Sequence, residues 1–170
     1  MMTLRDARPE DAPLLSEMGF TSYRHHFAHL WVSPAELATF LSQEYGVDAL
    51  VHSLAGSTSH WLIAADNERP VGFAKYSCHQ PIDPQGPTGT LLHKLYLLPD
   101  ETGKGYGEEI ITGVIQRAKI EGDSWLWLEV LSSNPQARRF YQRQGMVHLK
   151  DTLFSTASQQ STLHILGMEI

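Results

Sequence analysis

Between Leu91 and Ala118 the chain reads L-L-H-K-L-Y-L-L-P-D-E-T-G-K-G-Y-G-E-E-I-I-T-G-V-I-Q-R-A, and no other stretch limits the fold as strongly. Leu91 to Leu98 is mostly apolar or aromatic and stops at Pro99, which cannot donate to a sheet ladder and so suits the exit of a strand. Gly103, Gly105 and Gly107 then alternate with Lys104 and Tyr106. From Ile110 the apolar residues Ile110, Ile111, Val114, Ile115 and Ala118 fall on one helical stripe. The unit is therefore strand, glycine turn, helix.

Such a unit binds anions. The first N–H groups of a helix have no internal partner and point outward with the positive end of the dipole, and glycines let a ligand approach bare backbone. A diphosphate fits this chemistry. Spacing narrows the choice: a dinucleotide fingerprint needs glycine where Glu108 stands, and a G-x-x-x-x-G-K-S/T phosphate loop is absent.

A second stretch follows, W-L-W-L-E-V-L-S-S-N-P-Q-A-R-R-F-Y-Q-R-Q-G-M from Trp125 to Met146. Asn134 with Pro135 behind it reads as a helix N-cap, and Tyr141 falls two turns later beside Phe140. Together T-G-K-G-Y-G and N-x-x-A-x-x-F-Y-x-x-x-G resemble the two ordered motifs of the GCN5-related N-acetyltransferases. The first is written Q/R-x-x-G-x-G/A there, so Gly105 and Gly107 match and Thr102 stands where Gln or Arg is usual. The L-Y-L-L-P and W-L-x-V wording looks most like the bacterial spermidine/spermine acetyltransferase branch.

The resemblance implies acetyl-CoA as cosubstrate and acetyl transfer to a primary amine of a small molecule, a polyamine or an amino compound. The alternatives are a non-catalytic acyl-CoA-binding module or a protein N-terminal or lysine acetyltransferase. It implies a coenzyme A site built from Thr102, Gly103, Lys104, Gly105, Tyr106 and Gly107. The pantetheine arm then lies along Leu95, Tyr96 and Leu97, with contacts from Asn134, Ala137 and Tyr141. The implied fold is α/β (α+β), a mixed, mostly antiparallel sheet splayed between its fourth and fifth strands, with helices on both faces.

An amine with the lysine value of about 10.4 is neutral in only about one part in 2,500 at pH 7, a penalty of roughly 4.6 kcal/mol that a base or a water chain must offset. Where the family often carries a fourth-strand glutamate, this chain has Leu91. The candidate bases are His93, of the same strand parity as Leu95, and Glu129, which interrupts an apolar strand. The resemblance assigns Tyr141 to the departing thiolate; the alternative is an aromatic anchor. For Asn134 the cap alone accounts for the residue as well as a cofactor contact does. His25 and His29 lie one helical turn apart, a spacing that chelates metals, but no third ligand follows, so no metal is expected.

Composition excludes other classes. With 170 residues, 42% hydrophobic and 9% aromatic, the chain suits a single domain over 1–170 and is neither disordered nor membrane-spanning. A net charge of −6 with 13 Lys and Arg and no basic run argues against nucleic acid and favours a cationic substrate. The start M-M-T-L-R-D-A has no apolar signal segment, and a lone Cys78 suits a reducing compartment, so a cytoplasmic protein is expected.

Taken in order, Thr3–Ala7 reads as a strand and Pro9 opens a helix continued by Leu14, Leu15 and Met18. Ser33-Pro34-Ala35-Glu36 is a capping box, and Val47–Leu54 is a short helix. His60–Ala65 and Val71–Ser77 form a hairpin, and His79–Thr90, with three prolines and two glycines, reads as a loop. Gly145–Phe154 and Leu163–Ile170 are terminal strands, the last apolar enough to favour a homodimer.

Overall fold

Local signals and observed elements agree closely in the first half of the chain. The computed structural model describes all 170 residues. β1 (Met2–Asp6) is followed by a 3-10 turn at Pro9–Asp11 that leads into α1 (Ala12–Phe27). Ser33 caps α2 (Pro34–Tyr45), its Oγ accepting from the Glu36 N–H at 3.2 Å, and α3 (Val47–Ala55) follows. β2 (His60–Asp66) and β3 (Arg69–Pro81) turn through Asn67 and Glu68, at φ 49 and 72, as a two-residue hairpin loop with both central residues left-handed requires.

The remaining elements are β4 (Thr88–Leu97), α4 (Tyr106–Ile120), β5 (Trp125–Leu131), α5 (Pro135–Arg143), β6 (Val147–Ser155) and β7 (Gln160–Glu169). The strands form one seven-stranded sheet in the order β1-β2-β3-β4-β5-β7-β6. It is mostly antiparallel; β4 and β5 pair in parallel at Thr90↔Leu126 and Leu91↔Trp127, and the pairing goes no further along β4. This is the mixed, splayed sheet expected from the sequence.

Two expectations need correction. The stretch His79–Thr90 is not one loop: β3 runs on to Pro81 and β4 starts at Thr88, so only residues 82–87 connect them. Long-range bonds hold the extra strand length, with Trp127 Nε1 donating to the Gln80 carbonyl and Asp123 accepting from the His79 N–H. The C-terminal strand is also not an edge: β7 lies between β5 and β6, and the edge is β6, which exposes Val147, Leu149 and Leu153.

Internal contacts divide the chain into two compact units, Met1–Tyr76 with Lys94–Gly113, and Ser77–His93 with Val114–Ile170. The first unit is built on Leu15, Met18, Leu41, Tyr45, Leu50, Trp61, Ile63 and Phe73, where the buried stripes of α1, α2 and α3 meet β2 and β3. The second has Leu126, Leu128 and Leu166 fully enclosed, with Ile82, Trp127 and Ile165 clustered against Leu91. Asp123 ties its start together: one oxygen accepts from the His79 N–H at 2.9 Å and the Thr90 hydroxyl at 2.8 Å, the other meets His79 Nδ1 at 2.7 Å.

Candidate acetyl-coenzyme A site

In the first unit the turn from β4 into α4 has the form the sequence predicts. Gly103 and Gly105 sit at φ 78 and 84, where an L side chain is strained, and a Cβ added at either meets nothing within 4 Å. The turn is thus open above its glycines. Thr102, Gly103, Lys104 and Gly105 are exposed, and Gly107 and Glu108 lie in the first helical turn, whose N–H groups have no carbonyl behind them.

The side chains around the turn are already paired. Glu101, buried in the loop, takes an ion pair from Arg69 and has Lys104 Nζ at 3.5 Å. Tyr106 donates its hydroxyl to Asp66 at 2.6 Å, and that bond, ahead of burial and the Asp66 charge, pushes the phenol above its ordinary value. What the turn presents to an anion is therefore backbone, with Lys104 as the cation beside it.

β4 supplies the second feature. The Leu98 N–H donates to the Val71 carbonyl at 2.9 Å, so in the same trans peptide the Leu97 carbonyl points away from β3, and the Leu97 N–H points with it. Leu95 shares that edge by alternation. Tyr96 does not: its ring is turned into the aromatic cluster, with centroids 5.4 Å from Phe27 and 5.8 Å from Phe73. The Leu97 carbonyl is met by His26 of α1 at 3.0 Å, and because a carbonyl only accepts, His26 Nε2 carries the proton.

His26 is the sequence neighbour of His25, and the spacing that singles out His25 and His29 does not mark it. The pair singled out there does not form a helical chelate. α1 ends at Phe27 and His29 belongs to a 3-10 turn at Ala28–Leu30, while His25 packs edge-on against His26 with ring centroids 4.9 Å apart.

The second unit holds the other predicted residues. Leu91↔Trp127 is the last β4–β5 pair, and His93 and Glu129, each two residues further on, keep the strand parity of that pair beyond the point where pairing stops. His93 Nε2 is 2.8 Å from Ser77 Oγ on β3. Glu129 is exposed as a whole residue, but partial burial of its carboxylate raises its pKa against the opposing charge of Lys150. Asn134 accepts from the Ala137 N–H at 3.3 Å, a completed N-cap, and Pro135 occupies the first helical position. Tyr141 is partly exposed over its whole surface, with its ring 5.1 Å from that of Phe140; burial holds its hydroxyl well above the ordinary tyrosine value.

These features coincide with a family match. A model described as the acetyltransferase (GNAT) family matches residues 19–146, and the chain belongs to that family. It is an acetyl-CoA-dependent acetyltransferase. An uncharacterised N-acetyltransferase from the pepI 3′ region of Lactobacillus delbrueckii subsp. lactis is 22% identical over 135 residues, 79% of this chain and 78% of that one. An L-methionine sulfoximine/L-methionine sulfone acetyltransferase of Pseudomonas aeruginosa is 31% identical over 85 residues, about half of either chain at 49% and 48%.

Among solved structures, the PaiA N-acetyltransferase of Thermoplasma acidophilum, crystallised with coenzyme A, superposes with a TM-score of 0.77 at 18% identity, covering 100% of this chain and 99% of that one. Mutant forms of the spermidine/spermine N-acetyltransferase SpeG of Vibrio cholerae give 0.67 at 15% identity, covering 99% and 95%. These likenesses show the shared fold. The spermidine/spermine enzyme is one distant neighbour among several, and the branch suggested by sequence wording gains no preference from it.

Proposed function

We propose that the protein moves the acetyl group of acetyl-CoA to the primary amine of a small molecule, an amino compound or a polyamine. The observation that carries this is the glycine turn, open at its left-handed Gly103 and Gly105 and leading into the first-turn amides of α4, which have no carbonyl partner within the helix. The diphosphate lies on Gly103, Gly105 and Gly107 with Lys104 beside it, and Thr102 contributes only a short hydroxyl. The pantetheine arm adds as a strand along the outward edge of Leu95 and Leu97. The Leu97 N–H holds the thioester oxygen, a preorganised donor of a kind worth about 3 kcal/mol in the transition state.

Tyr141 then serves the departing sulfur. A hydroxyl whose pKa burial has raised holds its proton firmly, so its part is to donate a hydrogen bond to the thiolate rather than to release the proton. The amine loses its proton to His93 or Glu129, each two residues past the last β4–β5 pair. Asn134 and Ala137 fix the start of α5. Among acceptors, the relative acting on methionine sulfoximine and sulfone favours an amino compound; the net charge of −6 favours a cation.

The second reading, a non-catalytic acyl-CoA-binding module, rests on Leu91 and Thr102 at positions where the family has Glu and Gln or Arg. We place the protein in the cytoplasm, and in a homodimer through the β6 edge that exposes Val147, Leu149 and Leu153. Thiol release from acetyl-CoA, screened over amino acid analogues, polyamines and peptide N-termini, tests the assignment. Release with an amino compound or polyamine is the expected result. Release with peptides alone sinks the acceptor class, and coenzyme A binding without turnover establishes the binding module.

A further inference from the structure

We propose that His148, Asp151 and His164 form a binding site for a divalent transition-metal cation, with zinc the ion that fits, on the β6–β7 hairpin. β6 and β7 pair with His148 opposite Leu166 and Asp151 opposite His164, so three residues on β6 span what two residues span on β7. The extra residue is a β-bulge between His148 and Lys150. In a regular strand, residues three apart point to opposite faces. The bulge reverses that parity and brings His148, Asp151 and His164 onto one face.

The ligating atoms converge. His148 Nε2 and His164 Nδ1 each lie 2.7 Å from the same Asp151 oxygen, and all three ligand atoms lie within 4.8 Å of one another. Zinc bonds of about 2.0–2.2 Å to nitrogen and carboxylate oxygen put tetrahedral ligands roughly 3.3 Å apart. Reaching that spacing takes about 0.6 Å of opening at each His–Asp contact, in side chains that are partly exposed. Two imidazoles and one carboxylate suit zinc and its neighbours over calcium or magnesium. The exposure of His148 and Asp151 leaves solvent to complete the coordination.

Arg138 gives the site a built-in competitor. Its guanidinium Nη1 lies 3.3 Å from His164 Nε2, and since arginine only donates, Nε2 is the bare nitrogen and the proton sits on Nδ1, facing Asp151. A cation on Nδ1 moves that proton to Nε2 and displaces Arg138. Removing the guanidinium therefore strengthens metal binding, the reverse of what loss of a ligand does.

The test is a zinc titration of tag-free protein against a chromogenic chelator, followed by thermal unfolding with and without zinc. The expected result is one zinc per chain and a zinc-dependent rise in Tm. Asp151→Asn, His148→Gln and His164→Gln should each weaken binding tenfold or more and abolish the rise. Arg138→Met should tighten binding severalfold, and a His25→Gln/His29→Gln variant should bind as wild type. No binding at a tenfold excess of zinc overturns the site, as does equal binding by the Asp151→Asn and His148→Gln variants. Weaker binding by Arg138→Met overturns the competitor role assigned to Arg138.

Discussion

Two helices in this protein begin just after a strand, and they begin in opposite ways. The start of α5 is closed: Asn134 accepts from the Ala137 N–H and Pro135 removes one donor outright. The start of α4 is open, approached through left-handed glycines with no atom near where a side chain would be. Both were read from sequence as members of the same pair of motifs. The difference teaches that a helix terminus can serve as a ligand site only when its own chain leaves the donors unspent; α5 uses its first turn for its cap, and α4 leaves the donors of its first turn without a partner in the helix.

The substitution that breaks this contrast most severely is Gly105→Asp. It puts a carboxylate at the positive end of α4 and a Cβ at φ 84, and calorimetry should show coenzyme A affinity reduced about 100-fold or more. Unchanged affinity in the folded variant would show that the open turn is not the diphosphate site. Next in size is Tyr141→Phe, which keeps the ring and removes the hydroxyl. Turnover should fall about tenfold to a thousandfold with coenzyme A affinity little changed. A wild-type kcat would reduce Tyr141 to an anchor.

Asn134→Ala sharpens the contrast from the closed side. Loss of the cap should lower stability by about 1 kcal/mol, read by denaturant unfolding, while coenzyme A affinity moves less than twofold. A loss of affinity approaching that of Gly105→Asp would make the start of α5 a cofactor site as well. The smallest expected effect is on Glu129→Gln. Burial raises this carboxyl, so the folded protein holds the proton more tightly than the unfolded chain does, and the ionised form is the disfavoured one. Its contribution to stability is complete below the unfolded carboxyl range and is lost as pH rises through the folded value. Glutamine should thus raise the unfolding midpoint slightly at pH 7, and the gain should vanish near pH 4. The pH profile of kcat/KM in the same variant and in His93→Gln assigns the base: its rising limb disappears in whichever variant removes the proton acceptor.

Sequence legibility followed sequence distance. Ser33 and Asn134 were readable as caps because the residue that caps and the amide it caps lie three positions apart. The glycine turn was readable for the same reason. The stretch His79–Thr90 was not, because Pro81, Pro84, Pro87, Gly86 and Gly89 are turn residues in any short window. Only distant partners reveal their strand roles: a Cβ on Gly89 would lie 2.6 Å from the Trp125 carbonyl, so glycine there admits the parallel neighbour rather than a turn. His26 escaped notice because its partner is a carbonyl on a strand far along the chain. The His148–Asp151–His164 cluster escaped because strand parity places residues 148 and 151 on opposite faces, and a bulge leaves no mark in composition.

The peptide between Leu97 and Leu98 is pinned on both sides, its carbonyl by His26 and its N–H by the Val71 carbonyl. A plane held at both ends does not rock, and the adjoining Leu97 N–H inherits a fixed direction before any ligand arrives. In hydrogen-exchange terms the two neighbouring amides should part company: Leu98 protected at all times, Leu97 exchanging quickly until an acyl-CoA takes it as a donor. The entropy of aiming that donor is then met during folding, not at the moment of reaction.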